Sequence, residues 1–375
     1  MKNKIINWTF IGLLALLTAC GGSSTTSEEE EAAAQEELED TLGEEAQDAI
    51  TDTASDVVTT LSDVNGFKIV TEVFNPHSYD FYGTEVKITA FVKDHSNNPV
   101  DDGTVVSFVA DDNGLIEDQC ITTGGTCTVI WTSSRDRNQP TTPAAANDLG
   151  YTGDYLVTIM GRTIGEDSFI DKNSNSLWDT NETRMTQSEA FIDTDDDGTY
   201  DAGVNDFDEY FDFNGDGAFN EAADFTKFRG KSCSSAALSA GHCATRLEVW
   251  DTLTLINSDG GEVDISLYAS GDCSGAAIVE GTTLNLTTNN SYCIELQDQW
   301  GNVPPIDTKI SVDADNGTVK IEPPAAIPNY YNTIGRGFIN GLVIIPDADS
   351  SNGTLTIEIE SVRGDVTYKT FGLAD

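Results

Sequence analysis

Oxygen-bearing side chains recur at a fixed spacing between residues 169 and 225, and these are the residues whose types and positions best suit a chemical role. Three segments share one pattern: an aromatic residue, an apolar residue and Asp, then Asp or Asn at the third and fifth positions counted from that Asp. Alternate side chains of a tight loop can point at one centre, and a hard cation such as calcium takes six to eight oxygens. The pattern therefore predicts three calcium-binding loops.

The predicted ligands follow the first, third, fifth, seventh and ninth positions of each loop, with a backbone carbonyl at the seventh. They are Asp171, Asn173, Asn175, Leu177, Asp179 and Glu182 in the first loop; Asp193, Asp195, Asp197, Thr199 and Asp201 in the second; and Asp212, Asn214, Asp216, Ala218 and Asn220 in the third. The repeat resembles the EF-hand-like or dockerin-like calcium loops, although Ser176 stands in the first loop where the other two have Gly198 and Gly217.

Only the first loop has an acid, Glu182, at its twelfth position; the others have Val204 and Ala223 there. A bidentate carboxylate for those two loops must come from elsewhere. The candidates are Asp206, Asp208 and Asp224, together with the acids four residues ahead of each loop, Asp167, Glu189 and Asp208. Asp, Asn and Gly also mark ordinary polar turns, which is the alternative interpretation. Tandem repetition favours calcium over that alternative, because a single short motif has a high false-positive risk.

The N-terminus predicts export. Lys2 and Lys4 precede an apolar run from Ile5 to Leu17, and a small-residue site follows it, as in a secretory signal. The ending Leu-Thr-Ala-Cys20-Gly21 resembles a bacterial lipoprotein signal. That resemblance implies a signal peptide over residues 1–19, acylation of Cys20 and a lipid anchor in the outer membrane, on its periplasmic or cell-surface face. An ordinary signal peptide is the alternative.

An acidic segment follows the predicted anchor. No Lys or Arg occurs between Lys4 and Lys68, while acids crowd the stretch from Glu28 to Asp63. Like charges repel and keep such a segment extended, although apolar residues at every fourth position from Leu38 to Ala54 favour some helix. Residues 20–65 are therefore predicted to be a partly helical or disordered tether.

Alternating apolar residues predict short strands on both sides of the acidic repeats. The order of strands and turns around Asp94-His-Ser-Asn-Asn-Pro-Val100, and again around Asp298-Gln-Trp-Gly-Asn-Val-Pro304, resembles bacterial immunoglobulin-like domains of the invasin and intimin type. The predicted fold class is mainly β: two immunoglobulin-like β-sandwiches, at residues 66–165 and 231–375, joined by a calcium-loop block at 166–230. The resemblance implies a surface protein.

Cysteine usage agrees with an oxidising compartment. Apart from Cys20 the chain has six cysteines, an even number, which suggests disulfides. Six cysteines allow 15 pairings, and we predict the local ones. A cysteine metal site is the alternative, and it lacks the usual C-x-x-C spacing. The predicted pairs are Cys120 with Cys127, Cys233 with Cys243, and Cys273 with Cys293.

The net charge of −45 argues against nucleic acid as a partner, because phosphates demand Lys and Arg. None of His77, His95 and His242 belongs to a recognisable catalytic constellation. We therefore predict a non-enzymatic, lipid-anchored surface protein that binds calcium and presents its domains to a protein or glycan ligand. The alternative is an accessory or carbohydrate-binding subunit of a secreted or envelope enzyme system, which exposed aromatic stripes would favour.

Overall fold

Strands with alternating buried and exposed side chains dominate the computed structural model of the chain. In Glu85–Val92, for example, Val86, Ile88, Ala90 and Val92 are buried and the residues between them face outward. The structure describes residues 60–110, 114–134, 156–193, 198–202, 208–245, 247–330, 337–347 and 351–375. Within it, residues 58–375 belong to a single unit. The predicted mainly β fold class with two sandwiches is confirmed.

The first sandwich packs two antiparallel sheets face to face. One sheet has the order β2-β3-β7-β5, and the other has β15-β8-β4-β6, with β1 parallel to the end of β8. Its strands are β1 (Ser62–Asp63), β2 (Phe67–Thr71), β3 (Glu85–Val92), β4 (Val105–Ala110), β5 (Gly114–Ile116), β6 (Gln119–Ile121), β7 (Thr126–Ser133), β8 (Leu156–Glu166) and β15 (Leu247–Ile256). Trp131 is fully buried in the core between the two sheets.

The second sandwich has two four-stranded sheets, ordered β16-β18-β21-β20 and β17-β23-β22-β19. All neighbours are antiparallel except β17 and β23. Its strands are β16 (Asp264–Tyr268), β17 (Thr283–Asn285), β18 (Ser291–Gln297), β19 (Lys309–Ala314), β20 (Thr318–Ile321), β21 (Phe338–Ile345), β22 (Asn352–Glu360) and β23 (Val366–Ala374). Side chains such as Leu267, Leu342 and Phe371 fill a core of its own.

Strand β15 lies in the first sandwich, although the predicted boundary at residue 230 assigns it to the second. It pairs with β8 over ten consecutive residues, from Leu247 opposite Gly165 to Ile256 opposite Leu156. Leu247, Val249, Leu253 and Leu255 of this strand are buried in the core of the first sandwich. The physical reason is burial: the apolar face of β15 completes a core that β8 alone leaves open. The acidic block is consequently an insertion between two neighbouring strands of one sheet.

The inserted block consists of short strand pairs and loops. β9 pairs with β10, β11 with β12, and β13 with β14, the last pair being parallel. Its elements are β9 (Ser168–Phe169), β10 (Arg184–Met185), β11 (Ala190–Ile192), β12 (Glu209–Phe211), a 3-10 turn (Ala222–Asp224), β13 (Phe228–Arg229), helix α1 (Ser235–Ser239) and β14 (Cys243–Ala244).

The described fold begins inside the segment predicted as a tether. Leu61, Ser62 and Asp63 are buried, because β1 adds to the sheet beside β8 and the Asp63 carboxylate contacts His95. Residues 1–59, which include Cys20 and the predicted signal peptide, lie outside the described residues. No helix among the described residues has the length and apolar character that a membrane crossing needs.

The two sandwiches are joined directly by a buried polar contact. Asn75, in the connection between β2 and β3, has no exposed surface. Its side-chain amide donates to the carbonyl of Pro304 at 3.0 Å, and its side-chain oxygen accepts from the Tyr330 N–H at 3.1 Å. Its backbone carbonyl accepts from the Ile306 N–H at 2.9 Å. Its side-chain amide also donates to the Pro328 carbonyl at 3.4 Å, so one residue of the first sandwich satisfies four backbone groups of the second.

Three disulfides connect cysteines that are close in sequence. They join Cys120 to Cys127, Cys233 to Cys243 and Cys273 to Cys293, and these are the pairs that the sequence predicts. The first lies in the first sandwich, the second in the inserted block and the third in the second sandwich. Each part of the described chain therefore has one covalent crosslink of its own.

Candidate functional site

The sixth residue of each acidic loop has the same conformation and makes the same hydrogen bond. In each, the N–H of the sixth residue donates to the carboxylate of the first at 2.8 Å: Ser176 to Asp171, Gly198 to Asp193, and Gly217 to Asp212. The sixth residue has a positive φ in all three, of 60°, 82° and 76°. Gly198 and Gly217 adopt this conformation without strain, whereas Ser176 adopts it as a non-glycine residue. The repeat seen in the sequence is therefore a repeat of structure.

The first and third loops also match at their third, fifth and seventh residues. The Asn173 side-chain oxygen accepts from the Asn175 N–H at 3.0 Å, and the Asn175 oxygen from the Leu177 N–H at 2.8 Å. The corresponding contacts in the third loop link Asn214 to Asp216 at 2.8 Å and Asp216 to Ala218 at 2.9 Å. In both loops the third-residue amide also donates to the side chain of the ninth residue. Side-chain oxygens thus line the inner side of the turn.

A buried acid closes each loop at its ninth residue. In the first loop, the Asp179 N–H donates to the Glu182 carboxylate at 3.0 Å, and the Glu182 N–H donates to the Asp179 carbonyl at 2.9 Å. Asp201 and Asp208 make the same two bonds in the second loop, at 3.0 and 3.1 Å.

In the third loop the Asn220 N–H donates to the Glu189 carboxylate at 3.1 Å, and the Glu189 N–H donates to the Asn220 carbonyl at 2.9 Å. The exposed fractions of the three acids are small: 7% for Glu182, 1% for Asp208 and 4% for Glu189. A carboxylate offers about four acceptor positions, so backbone N–H groups do not use up its capacity to bind a cation.

Strand register explains why these particular acids close the loops. β9 and β10 pair with Phe169 opposite Arg184, which places Glu182 across from Asp171. β11 and β12 pair with Ala190 opposite Phe211 and Ile192 opposite Glu209. Continuing that register by one residue at each end sets Glu189 across from Asp212 and Asp208 across from Asp193. The closing acid is in every case the cross-strand neighbour of the first Asp of the loop.

Other acids that the sequence offered as loop ligands lie elsewhere. Asp224 is exposed and accepts from the Glu221 N–H at 2.9 Å, so it caps the 3-10 turn, and Glu189 occupies the place at the third loop. The Asp167 carboxylate is buried between two guanidinium groups, 3.4 Å from that of Arg184 and 3.6 Å from that of Arg229. Asp195, Asp197 and Asp206, which the sequence also proposed, fall outside the described residues.

The electrostatic setting of the half-buried loop acids differs from that of the buried acid Glu189. The Ser176 N–H and other backbone donors lower the pKa of the Asp171 carboxyl. Hydrogen bonds from the Ser234 hydroxyl and the Asn173 amide lower the pKa of Asp179. Burial raises the pKa of Glu189, against the effect of its backbone donors. A cation beside Glu189 would favour its charged form.

The second and third loops pack onto the outer face of the first sandwich. Phe191, which leads into the second loop, makes an edge contact with Trp250 of β15 at 5.6 Å between ring centroids. The Arg162 guanidinium of β8 lies 4.0 Å from the centre of the Phe211 ring. The eighth residues of these loops, Tyr200 and Phe219, stack on each other at 4.0 Å. Aromatic packing therefore couples the loops to β8 and β15.

The donor set suits a hard cation bound by mixed oxygens. Across the described parts of the chain, no three His, Cys, Asp or Glu side chains converge as a metal-binding group. In the first and third loops the predicted donors include Asn amides and main-chain carbonyls, and residues 194–197 of the second loop are not described. Calcium accepts such neutral oxygens alongside carboxylates, whereas zinc prefers nitrogen and sulfur. The residues present fit calcium by donor type.

No protein-family model and no curated protein matches the chain. Among solved structures, it is similar to the D0-D1 domain of intimin at 9% identity with a TM-score of 0.22, over 84% of this chain and 97% of that one. The adhesin InvE of Yersinia pseudotuberculosis is 11% identical with a TM-score of 0.23, over 84% of this chain and 60% of that one. Similarities of this size assign the chain to no family and carry no functional conclusion.

Proposed function

We propose that this chain is a non-enzymatic, calcium-stabilised, lipid-anchored protein of the bacterial envelope that presents two immunoglobulin-like sandwiches to a protein or glycan ligand. The observation that carries the proposal is the buried acid paired with the ninth residue of each of three loops. Burial of an ionised carboxylate costs free energy unless partners compensate it, and the backbone N–H donors of each loop fill only part of the acceptor positions of its closing acid. A calcium ion would use the positions that remain.

Six residues would hold the ion in each loop. They are Asp171, Asn173, Asn175, Leu177, Asp179 and Glu182 in the first; Asp193, Asp195, Asp197, Thr199, Asp201 and Asp208 in the second; and Asp212, Asn214, Asp216, Ala218, Asn220 and Glu189 in the third. Extracellular calcium modules bind with dissociation constants of about 10⁻⁴ to 10⁻³ M, and we expect this range. Calcium would also reduce the self-repulsion of a chain with a net charge of −45.

The anchor rests on Cys20 and on the compartment. Three disulfides suit an oxidising environment outside the cytoplasm. The acidic stretch from residue 20 to residue 59 would hold the sandwiches away from the membrane surface, since anionic lipids repel it. A Cys20→Ser chain should lose labelling by palmitate and leave the membrane fraction. Unchanged labelling of that variant would overturn the lipid anchor.

The positions of the tryptophans do not favour the alternative, an accessory or carbohydrate-binding subunit of a secreted or envelope enzyme system. Trp131 and Trp178 are buried, and Trp250 and Trp300 are half-buried, so these four side chains form no exposed stripe. Carbohydrate-binding modules of the alternative class would use such a stripe.

The experiment has two parts, each carried out on the purified mature chain in millimolar calcium and in chelator. One is a binding screen on glycan and protein arrays, and the other is a measurement of thermal stability. Calcium-dependent binding to a protein or glycan supports the proposal. Equal thermal stability with calcium and with chelator would overturn it.

A further inference from the structure

Loop one, the first acidic loop (residues 171–182), is attached to the disulfide-bonded segment that follows β13. The Trp178 N–H donates to the Ser232 carbonyl at 2.6 Å, and the Ser234 N–H donates to the Trp178 carbonyl at 3.0 Å. Trp178 and Cys233 thereby form a parallel bridge. Cys233 is itself bonded to Cys243. The eighth residue of the loop is thus held on both sides by neighbours of one disulfide.

Side-chain packing reinforces this attachment. The Trp178 ring stacks on Phe228 with 5.2 Å between ring centroids, and Phe228 is completely buried. Phe228 lies opposite Cys243 in the pair of β13 with β14. Both cysteines of the disulfide pack against the small core that contains Trp178 and Phe228. Removing the crosslink would loosen the surface on which loop one rests.

We propose that the Cys233–Cys243 disulfide positions loop one, so that cation affinity at this loop depends on the redox state of that disulfide. The inference rests on the proposed calcium binding. Reduction by a dithiol transfers two electrons and two protons to Cys233 and Cys243 and leaves the dithiol as a cyclic disulfide. Because coupling between two sites is reciprocal, bound calcium must make this reduction less favourable by the same factor.

The test uses a Trp250→Phe parent, in which tryptophan emission near the acidic block comes from Trp178. Calcium titrations compare this parent with a Cys233→Ser/Cys243→Ser variant and with a matched Cys120→Ser/Cys127→Ser control, whose crosslink lies in the first sandwich. We expect the first variant to bind calcium at loop one at least about fivefold more weakly, the lower end of typical coupling, and the control to match the parent.

A second readout separates positioning from simple loss of folding. The intact chain is equilibrated with dithiothreitol in calcium or in chelator, alkylated, and the peptides that carry each cysteine pair are quantified by mass spectrometry. Calcium should protect Cys233–Cys243 by the same factor and leave Cys120–Cys127 unaffected. The coupling would be overturned if the Cys233→Ser/Cys243→Ser variant bound calcium within about twofold of the parent, or if Cys233–Cys243 were reduced equally in calcium and in chelator. Neither result would contradict calcium binding itself. A parent chain with no calcium response would overturn both the coupling and the proposed calcium stabilisation.

Discussion

Glu189 and Asp208 stand at opposite ends of one two-stranded ribbon, and each carboxylate closes the loop that follows the strand of the other. Glu189 precedes β11 and accepts from the third loop, which follows β12. Asp208 precedes β12 and accepts from the second loop, which follows β11. The exchange connects the second and third loops through the same ribbon, while the first loop closes on its own Glu182.

Glu189→Gln tests the assignment of the closing acids. The variant keeps the shape of the side chain and removes the charge that a cation at the third loop requires. We expect the affinity of this loop for calcium to fall at least about tenfold, or about 1.4 kcal/mol, by isothermal titration calorimetry. Asp224→Asn is the matched control, because Asp224 is exposed and caps the 3-10 turn. Weaker binding in the control than in Glu189→Gln would reverse the assignment.

Calcium removal should uncover Trp250. Its ring packs on Phe191 and its indole N–H donates to the Ser188 carbonyl at 3.1 Å, both in the inserted block. Loosening of the second and third loops by chelator would admit water to this contact, so tryptophan emission should shift to longer wavelength. The shift should be smaller in Trp250→Phe, where only the contribution of Trp178 beside the first loop remains, whereas the emission of Trp131, buried in the first core, should stay the same. An identical shift in Trp250→Phe would place the calcium effect elsewhere.

Asn75→Ala should weaken the joint between the sandwiches. The substitution leaves the Pro304 carbonyl and the Tyr330 N–H without their Asn75 partner in a buried setting, a loss of about 1–3 kcal/mol. Small-angle scattering should show a broader distribution of interatomic distances for this variant than for wild type. The exposed turn residue Asn98 provides the control as Asn98→Ala.

Chelator acting on wild type should leave the joint in place, because the Asn75 contacts involve no residue of the inserted block. If chelator alone increased the maximum dimension of the wild-type protein in small-angle scattering, the joint between the sandwiches would depend on calcium instead.

Asp298 should make the second sandwich less stable as pH rises toward neutrality. Burial raises the pKa of this carboxyl to about 6, against hydrogen bonds from the N–H groups of Asp259, Asn302 and Trp300. Between its ordinary pKa of 3.8 and about 6, the folded state holds the proton more tightly than the unfolded state does. The contribution to the free energy of unfolding is therefore fully present below the lower value and is lost as pH rises through about 6.

Urea denaturation at pH 4.5 and at pH 7 measures this effect, with Asp298→Asn as the reference that cannot ionise. The free energy of unfolding of wild type, relative to this variant, should fall by about 2 kcal/mol between the two conditions. A constant difference between wild type and variant across this range would mean that Asp298 titrates at an ordinary pKa.

Local patterns in the sequence were sufficient for the parts of the protein that depend on near neighbours. The spacing of Asp171, Asn173 and Asn175 encodes a turn whose hydrogen bonds all lie within the loop. Alternation of apolar residues in segments such as Glu85–Val92 encodes a half-buried strand, because successive side chains point to opposite faces. The short separations of the cysteine pairs likewise favoured local crosslinks, since little chain entropy opposes their closure.

Only the tertiary structure decided which distant residues meet. The choice of Glu189 over Asp224 for the third loop follows from the register of β11 on β12, and a register is a property of two segments together. Strand β15 lies beside β8 because the first core needs another apolar face. The insertion of some eighty residues between the two strands does not prevent this pairing, because the entropy cost of closing a loop grows only slowly with its length. The Asn75 joint arises in the same way: its four partners lie more than two hundred residues away, and burial alone brings them together.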